Sequence, residues 1–220
     1  MEEKAEKLQV ELVRSLQEKG IKNKKVLDAF FKISRYYFIK DYIKNESELY
    51  QAYFNPFPIG YEQTISQPLI CATMLEALDI KEDDIVFEIG TGSGYLTAII
   101  SLLAKEVYTS EINNVLLSRA KSRLENLGLQ NIHYFAGNGL LGIKNMLFDK
   151  IIVSAALPDT PTTLLKFLKN KGTLVAPIDA HECPPDQKLT KITISDGNIN
   201  TEFICYCKFV PIKSNIIGEN

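Results

Sequence analysis

From Asp84 onward the chain alternates short β-branched and aromatic runs with longer runs whose apolar positions recur every three or four residues. The short runs predict strands at Ile85–Ile89, Val107–Ser110, Ile132–Phe135, Lys150–Val153 and Thr173–Pro177. The longer runs predict helices at Tyr95–Ala104, Asn114–Leu127 and Pro161–Leu168. Gly128 and Gly172 fall where helix C-caps would sit. Strand and helix in alternation imply an α/β fold with a doubly wound, mostly parallel sheet. Two more strand-like runs, Leu189–Ile194 and Phe203–Val210, flank Asp196-Gly197-Asn198, so the sheet is expected to end in an antiparallel hairpin.

The segment ahead of Asp84 reads as an N-terminal helical extension. Leu8, Leu12, Val13 and Leu16 give Lys7–Glu18 a helical spacing, and Gly20 stops it. Lys24–Ile33 reads as a second helix and Ser34–Ile39 as an aromatic, extended run. The prolines of Phe54–Gly60 predict a loop. A third helix is expected over Gln67–Ala77, with Ser66 as its N-cap and Pro68 in its first turn. The whole chain, 1–220, is read as one domain, with an extension over 1–80 and an α/β core over 81–220.

Candidate chemistry concentrates in Ile85-Val-Phe-Glu-Ile-Gly-Thr-Gly-Ser-Gly-Tyr95, a strand, a glycine-rich turn and a helix start. Glycine lets the backbone turn sharply and approach a ligand closely, and N–H groups at a helix start face that ligand. A dinucleotide site has G-x-G-x-x-G, whose third glycine would fall at Tyr95. This chain has G-x-G-x-G with Glu88 two residues ahead, which resembles the first motif of Rossmann-like S-adenosylmethionine methyltransferases. Glu111 ends the next apolar stretch, about 20 residues on, where a carboxylate meets ribose hydroxyls.

Composition narrows the partners. Net charge is −2, which offers no electrostatic footprint for a nucleic-acid backbone. The charged start is no signal peptide and no apolar run has membrane-spanning length, so neither membrane nor export is expected and a cytoplasmic location is. Cys71, Cys183, Cys205 and Cys207 form no C-x-x-C pair, and the only histidines are His133 and His181. The cysteines read as strand and core thiols rather than a metal or redox centre. His181–Gln187 and the tail after Ile212 read as flexible.

Pro58-Ile-Gly-Tyr-Glu-Gln-Thr-Ile-Ser-Gln-Pro68 matches P-I-G-x-x-Q-T-I-S-x-P, the hallmark of the protein-L-isoaspartate (D-aspartate) O-methyltransferases, and the chain resembles that family. The likeness continues through Glu88–Gly94, Gly137-Asn-Gly139, Phe148–Ala156, Leu168–Leu174, Gln187-Lys-Leu189 and Phe209–Ile212, and reaches back to Gly20 and Val26–Phe30. It implies methyl transfer from S-adenosylmethionine to the free carboxylate of isoaspartyl residues in damaged proteins and peptides, leaving S-adenosylhomocysteine. The ester then cyclises to a succinimide that can reopen to normal aspartate. A carboxylate with a pKa of ~4 is ionised at neutral pH, so no general base is needed. The protein has to supply in-line positioning of oxygen, methyl and sulfur.

The resemblance also implies roles. Glu88, Gly90, Gly92 and Gly94 belong to the cofactor site, the glycines lining its amino-acid end. Glu111 with Ile112 takes the ribose, Asn138 and Gly139 sit beside adenine, and Gln187 corresponds to a glutamine in a late loop near the cofactor. Ser66 would orient the attacking carboxylate. Ile59, Gly60, Thr64, Ile65, Ala155 and Ala156 would shape the substrate site, and a monomer is expected. Four places depart from the family's usual residues, the first being Phe54-Asn55 in a shortened loop where the family often has Asp. Asn138 replaces Asp, Leu69 replaces an aromatic residue or His, and Glu62 stands where Gly is common. An inward Glu62 would repel an anionic substrate. The alternatives at this level are a relative with a small-molecule or RNA acceptor, and a cofactor-binding but catalytically silent relative.

Overall fold

The β-branched run after Asp84 forms the centre of the molecule because its side chains are buried on both faces. In the computed structural model, which describes residues 1–180 and 186–213, this run is a strand flanked on each side by parallel neighbours. The elements in order are α1 (Glu2–Glu18), α2 (Lys24–Lys32), α3 (Tyr36–Ile39), α4 (Glu46–Phe54), β1 (Phe57–Gly60), β2 (Gln63–Ile65), α5 (Pro68–Leu78) and β3 (Ile85–Ile89). They continue as α6 (Tyr95–Ser101), β4 (Glu106–Glu111), α7 (Asn114–Asn126), β5 (Ile132–Ala136), β6 (Phe148–Val153), α8 (Thr162–Leu165), β7 (Leu168–Asp179), β8 (Gln187–Ser195) and β9 (Asn198–Cys207). His181, Cys183 and the rest of 181–185, and the tail beyond 213, lie outside the described residues.

The seven-stranded sheet runs β5-β4-β3-β6-β7-β8-β9. From β5 to β7 neighbours are parallel, and β8 and β9 close the sheet antiparallel. From β3 the chain steps to β4 on one side and later to β6 on the other. That reversal opens a crevice at the carboxyl ends of the middle strands, where α/β sheets bind ligands.

Alternate residues of β3 serve opposite faces. Phe87 and Ile89 pack with Phe148, Leu164 and Leu174. Val86 joins the larger cluster, which also takes Leu8, Leu12 and Leu16 of α1, Phe30 of α2 and Met74 of α5. Removing such side chains from water is worth about 1.5–3 kcal/mol each, enough to hold an otherwise marginal extension onto the sheet. Asn23 caps α2 by accepting from Lys25 and Val26 N–H.

Several boundaries differ from the sequence reading. Ser34–Ile39 is not extended: Tyr36–Ile39 forms one helical turn that buries Phe38 against Tyr95, with ring centroids 5.4 Å apart. The buried Arg35 fixes this turn to α4 by donating to Ala52 O (2.7 Å) and Asn55 O (3.1 Å). A long-range anchor of this kind leaves no local sequence signal. Helix α4 itself was not predicted. The Phe54–Gly60 loop contains strand β1, which pairs antiparallel with β2 as a separate two-stranded ribbon, and there Pro58 costs no central ladder bond. Helix α8 stops at Leu165, and Gly172 lies inside β7 rather than at a C-cap. The positive φ falls on Lys171 (65°), while a Cβ at Gly172 would come within 2.8 Å of Lys169 O. Gly128 does follow the last turn of α7 with φ 74°, donating to Glu125 O.

Candidate active site

The glycine turn connects β3 to α6, and each of its glycines has φ above zero: 98° at Gly90, 53° at Gly92 and 86° at Gly94. Gly90 and Gly92 line a cleft at the carboxyl ends of β3, β4 and β6. Gly94 does not line it. A Cβ there would press on Ala120 and Leu124 of α7 at 3.2 Å, so this glycine lets α7 pack against the turn.

Glu88 also lies behind the turn rather than in the cleft. It is fully buried, and its Oε2 accepts from Thr97 (2.5 Å) and Thr109 (2.7 Å). Thr109 spends its only proton on Glu88, so the 2.6 Å contact with Thr91 has Thr91 as donor. Oε1 has no partner. Burial pushes the Glu88 carboxyl up to about 7, opposed by the two threonine hydroxyls and reinforced by the nearby Glu111 charge. The residue ties β3, β4 and α6 together beneath the turn.

Glu111, at the end of β4, faces the cleft and is held at both oxygens. Oε2 accepts from Gly92 N–H (2.9 Å) and Oε1 from Asn113 N–H (3.0 Å). Each oxygen keeps a second lone pair, so the carboxylate is fixed in place and still able to accept two hydroxyl donors. Ile112 follows it along the wall. Beyond β5, Asn138 and Gly139 line the same side, and Asn138 Oδ1 accepts from Leu140 N–H (3.0 Å), capping a single 3-10 turn over Gly139–Leu141. A Cβ at Gly139 would overlap Ser110 Oγ and Ile89. Glycine is required there for the turn to approach the sheet.

The opposite wall comes from the extension. Thr64, Ile65 and Ser66 line the cleft. Ser66 is not the N-cap of α5; Gln67 takes that position, with no side-chain cap bond. Among the described residues the Ser66 hydroxyl makes no hydrogen bond within the protein, which leaves it available to a ligand. Ile59 and Gly60 do not line the cleft. Ile59 is fully buried beneath the glycine turn, 3.8 Å from a Cβ placed on Gly92, and Gly60 (φ 86°) makes the hairpin bend.

A strap over 208–213 completes the enclosure; the sequence reading ran a strand through Val210, whereas β9 ends at Cys207. Two residues assigned to the ligand sites hold this strap instead. Gln187 starts β8, accepts from Phe209 N–H (2.6 Å) and donates to Phe209 O (3.4 Å). Ala156 donates to Val210 O (2.8 Å) and accepts from Ile212 N–H (2.9 Å), whereas Ala155 does line the cleft. At the rim Lys213 pairs with Glu62 at 2.7 Å. Glu62 is 84% exposed and is therefore turned to solvent rather than into the cleft. The paired bonds at Gln187 are visible only when β8 and the strap are seen together.

Sequence reasoning also passed over Tyr95, Ser110 and Ser154, which line the cleft. Ser154 Oγ is buried with no hydrogen-bond partner among the described residues. S-adenosylmethionine fits this set. Glu111 retains acceptor sites for ribose hydroxyls, Gly139 leaves the room that a side chain would fill, and an unpartnered hydroxyl awaits a polar ligand. Cys71 reaches the cleft, but burial pushes its thiol up to about 12, which makes it a poor nucleophile. Among the described residues no cluster of His, Cys, Asp and Glu is placed to hold a metal, and no helix is long and apolar enough to cross a membrane.

Comparison with known proteins agrees with this geometry. A sequence profile of the protein-L-isoaspartate(D-aspartate) O-methyltransferase family matches residues 6–216. A protein-L-isoaspartate O-methyltransferase of Dictyoglomus turgidum is 47% identical over 204 residues, covering 92% of this chain and 89% of that protein. One from Petrotoga mobilis is 42% identical over 219 residues, covering 99% and 97%. Among solved structures, a Plasmodium falciparum protein described as a beta-aspartate methyltransferase in complex with S-adenosyl-L-homocysteine superposes with a TM-score of 0.79. It is 24% identical, and the match covers 93% of this chain and 98% of that one, a likeness of fold.

Proposed function

The chain belongs to the protein-L-isoaspartate(D-aspartate) O-methyltransferase family, and we propose that it performs the family's reaction in the cleft between the glycine turn and the hairpin. It methylates the free carboxylate of L-isoaspartyl residues in damaged proteins and peptides, using S-adenosylmethionine and releasing S-adenosylhomocysteine. The observation that carries this reading is the meeting of Ser66 with Gly90, Gly92 and Glu111 in one cleft.

S-adenosylmethionine supplies a methyl group already activated on a sulfonium. The acceptor carboxylate is ionised at neutral pH, so the chain needs no general base. Its residues position the two partners. Glu111 accepts from the ribose hydroxyls while Gly92 and Asn113 N–H hold it. Gly139 and Asn138 flank adenine, and Gly90 and Gly92 let the backbone approach the amino-acid end. Ser66 donates its free hydroxyl proton to the acceptor carboxylate and aligns it. Ala155 leaves room for the substrate backbone, Thr64 and Ile65 flank it, and the strap excludes water. Lys208 and Lys213 stand at the lip of the cleft, each beside a carboxylate, Asp186 at 3.9 Å and Glu62 at 2.7 Å.

We read 1–220 as one domain acting as a cytoplasmic monomer on isoaspartyl proteins and peptides, without nucleic acid or membrane. An apolar cluster that joins the extension to the sheet, from Ala5 to Cys207, and a cleft assembled within one chain support this. Free Cys71, Cys205 and Cys207 suit a reducing compartment. The test is incubation with S-adenosylmethionine and an isoaspartyl peptide. Ester formation followed by succinimide is the expected result. Bound cofactor with no ester on the peptide would overturn the reading.

A further inference from the structure

Ser154 stands at the carboxyl end of β6, one residue beyond the strand. Its N–H donates to Ile89 O at 2.9 Å, which draws β6 against β3 just where the glycine turn begins. A Cβ built on Gly90 would lie 3.4 Å from Ser154 Cβ, so the two residues sit side by side in the wall of the cleft. Yet Ser154 Oγ is buried and meets no hydrogen-bond partner among the described residues. Buried hydroxyls without a partner are rare in native proteins, and each calls for a ligand, a water or a functional reason.

Sheet order says which part of a ligand lies there. Glu111 ends β4, and Asn138 and Gly139 follow β5, all on one side of β3. Ser154 is on the other side, across Gly90. A cofactor with adenine near β5 and ribose at β4 therefore brings its far end to Ser154. That end carries an ammonium donor and a carboxylate acceptor, and a serine hydroxyl can serve either one.

Resting on the methyltransferase reading above, we infer that Ser154 Oγ is a binding residue for the amino-acid end of the cofactor. The hydroxyl, unpaired within the chain, is satisfied when the zwitterionic end binds. Two consequences oppose each other. Ser154→Ala removes a polar atom that has no partner in the ligand-free chain, so it leaves the melting temperature unchanged or raises it. The same substitution weakens the cofactor product.

Calorimetry on the full chain with two ligands tests this. S-adenosylhomocysteine carries the amino-acid end; 5′-methylthioadenosine has the same nucleoside and lacks it. Ser154→Ala is expected to raise the Kd of S-adenosylhomocysteine by about tenfold, the effect of one lost hydrogen bond to a charged group. It should leave the Kd of methylthioadenosine unchanged. An unaltered S-adenosylhomocysteine Kd, or an equal loss for both ligands, would overturn the assignment of Ser154. Failure of the wild-type chain to bind S-adenosylhomocysteine would instead overturn the cofactor reading itself, and this inference with it.

Discussion

The cofactor wall of the cleft hangs from the carboxyl ends of buried strands, whereas the acceptor wall is a three-residue strand, a bend and a strap whose tips meet in a solvent-exposed ion pair. Beneath the first wall, Glu88 is fully buried and bonded to Thr97 and Thr109, and at its surface Glu111 is fixed by backbone N–H groups on both oxygens. On the second, Ser66 has no partner among the described residues, and the strap hangs on Gln187, Ala156 and the Lys213–Glu62 pair. Buried bonds in a low-dielectric setting hold geometry, while exposed pairs are worth little. The cofactor is common to every turnover and meets a preorganised surface. Isoaspartyl sites vary in their flanking sequence and meet a wall held by fewer buried side-chain bonds.

Substitutions on the two walls should therefore differ in size and kind. The largest expected effect is at Glu111. Glu111→Ala should weaken S-adenosylhomocysteine binding by roughly 1–3 kcal/mol, the loss of a charged acceptor. Unchanged affinity by calorimetry, in a variant that still folds, would remove Glu111 from the ribose site. Next is Ser66 on the acceptor wall. Ser66→Ala should lower kcat by roughly tenfold while the cofactor Kd stays put, because the role proposed for the hydroxyl is to align the nucleophile only. Equal losses in both would merge the two walls and defeat the comparison.

Glu88 gives a smaller effect, read in stability. Its folded carboxyl binds a proton more tightly than an unfolded glutamate, with the pKa raised from 4.5 to about 7 by burial. Its contribution is thus fully present below pH 4.5 and is lost as pH rises to about 7, with no further change above. Glu88→Gln should flatten this decline in urea midpoints across that window. A slope identical to wild type would mean that the carboxyl titrates normally. The smallest effect is expected from Glu62→Gln, which breaks only an exposed pair. Melting temperature should not move, and the peptide KM should shift by less than about threefold. A large fall in either would show the latch to be structural.

The same contrast explains what the sequence revealed. Ile85–Tyr95 was legible because strand, turn and helix start are contiguous, and positive φ at Gly90 and Gly92 demands glycine locally. Gly94 and Glu88 were recognised as parts of the motif, yet their work is packing and support, decided by Ala120, Leu124, Thr97 and Thr109 from distant segments. The acceptor wall was harder to read. Ser66 next to Pro68 looks like an N-cap, but the helix begins one residue later. Gln187 was assigned to a cofactor loop; its geometry is a clamp on Phe209, which only the pairing of β8 with β9 creates. Arg35 organises α3 and α4 through backbone carbonyls far along the chain, so an aromatic run that looks extended folds into a helical turn.

The central claim is that a fixed cofactor wall and a shaped acceptor wall together select a carboxylate by geometry. The most direct measurement gives the full-length protein two peptides of one composition, one with L-isoaspartate and one with normal L-aspartate, and compares initial methylation rates at saturating S-adenosylmethionine. Both carboxylates are ionised and similarly nucleophilic, so reactivity cannot separate them. Misalignment can, because small displacements from the in-line geometry cost large factors in rate. The account predicts methylation of the isoaspartyl peptide and none above background for the aspartyl peptide. Equal rates on both would contradict it.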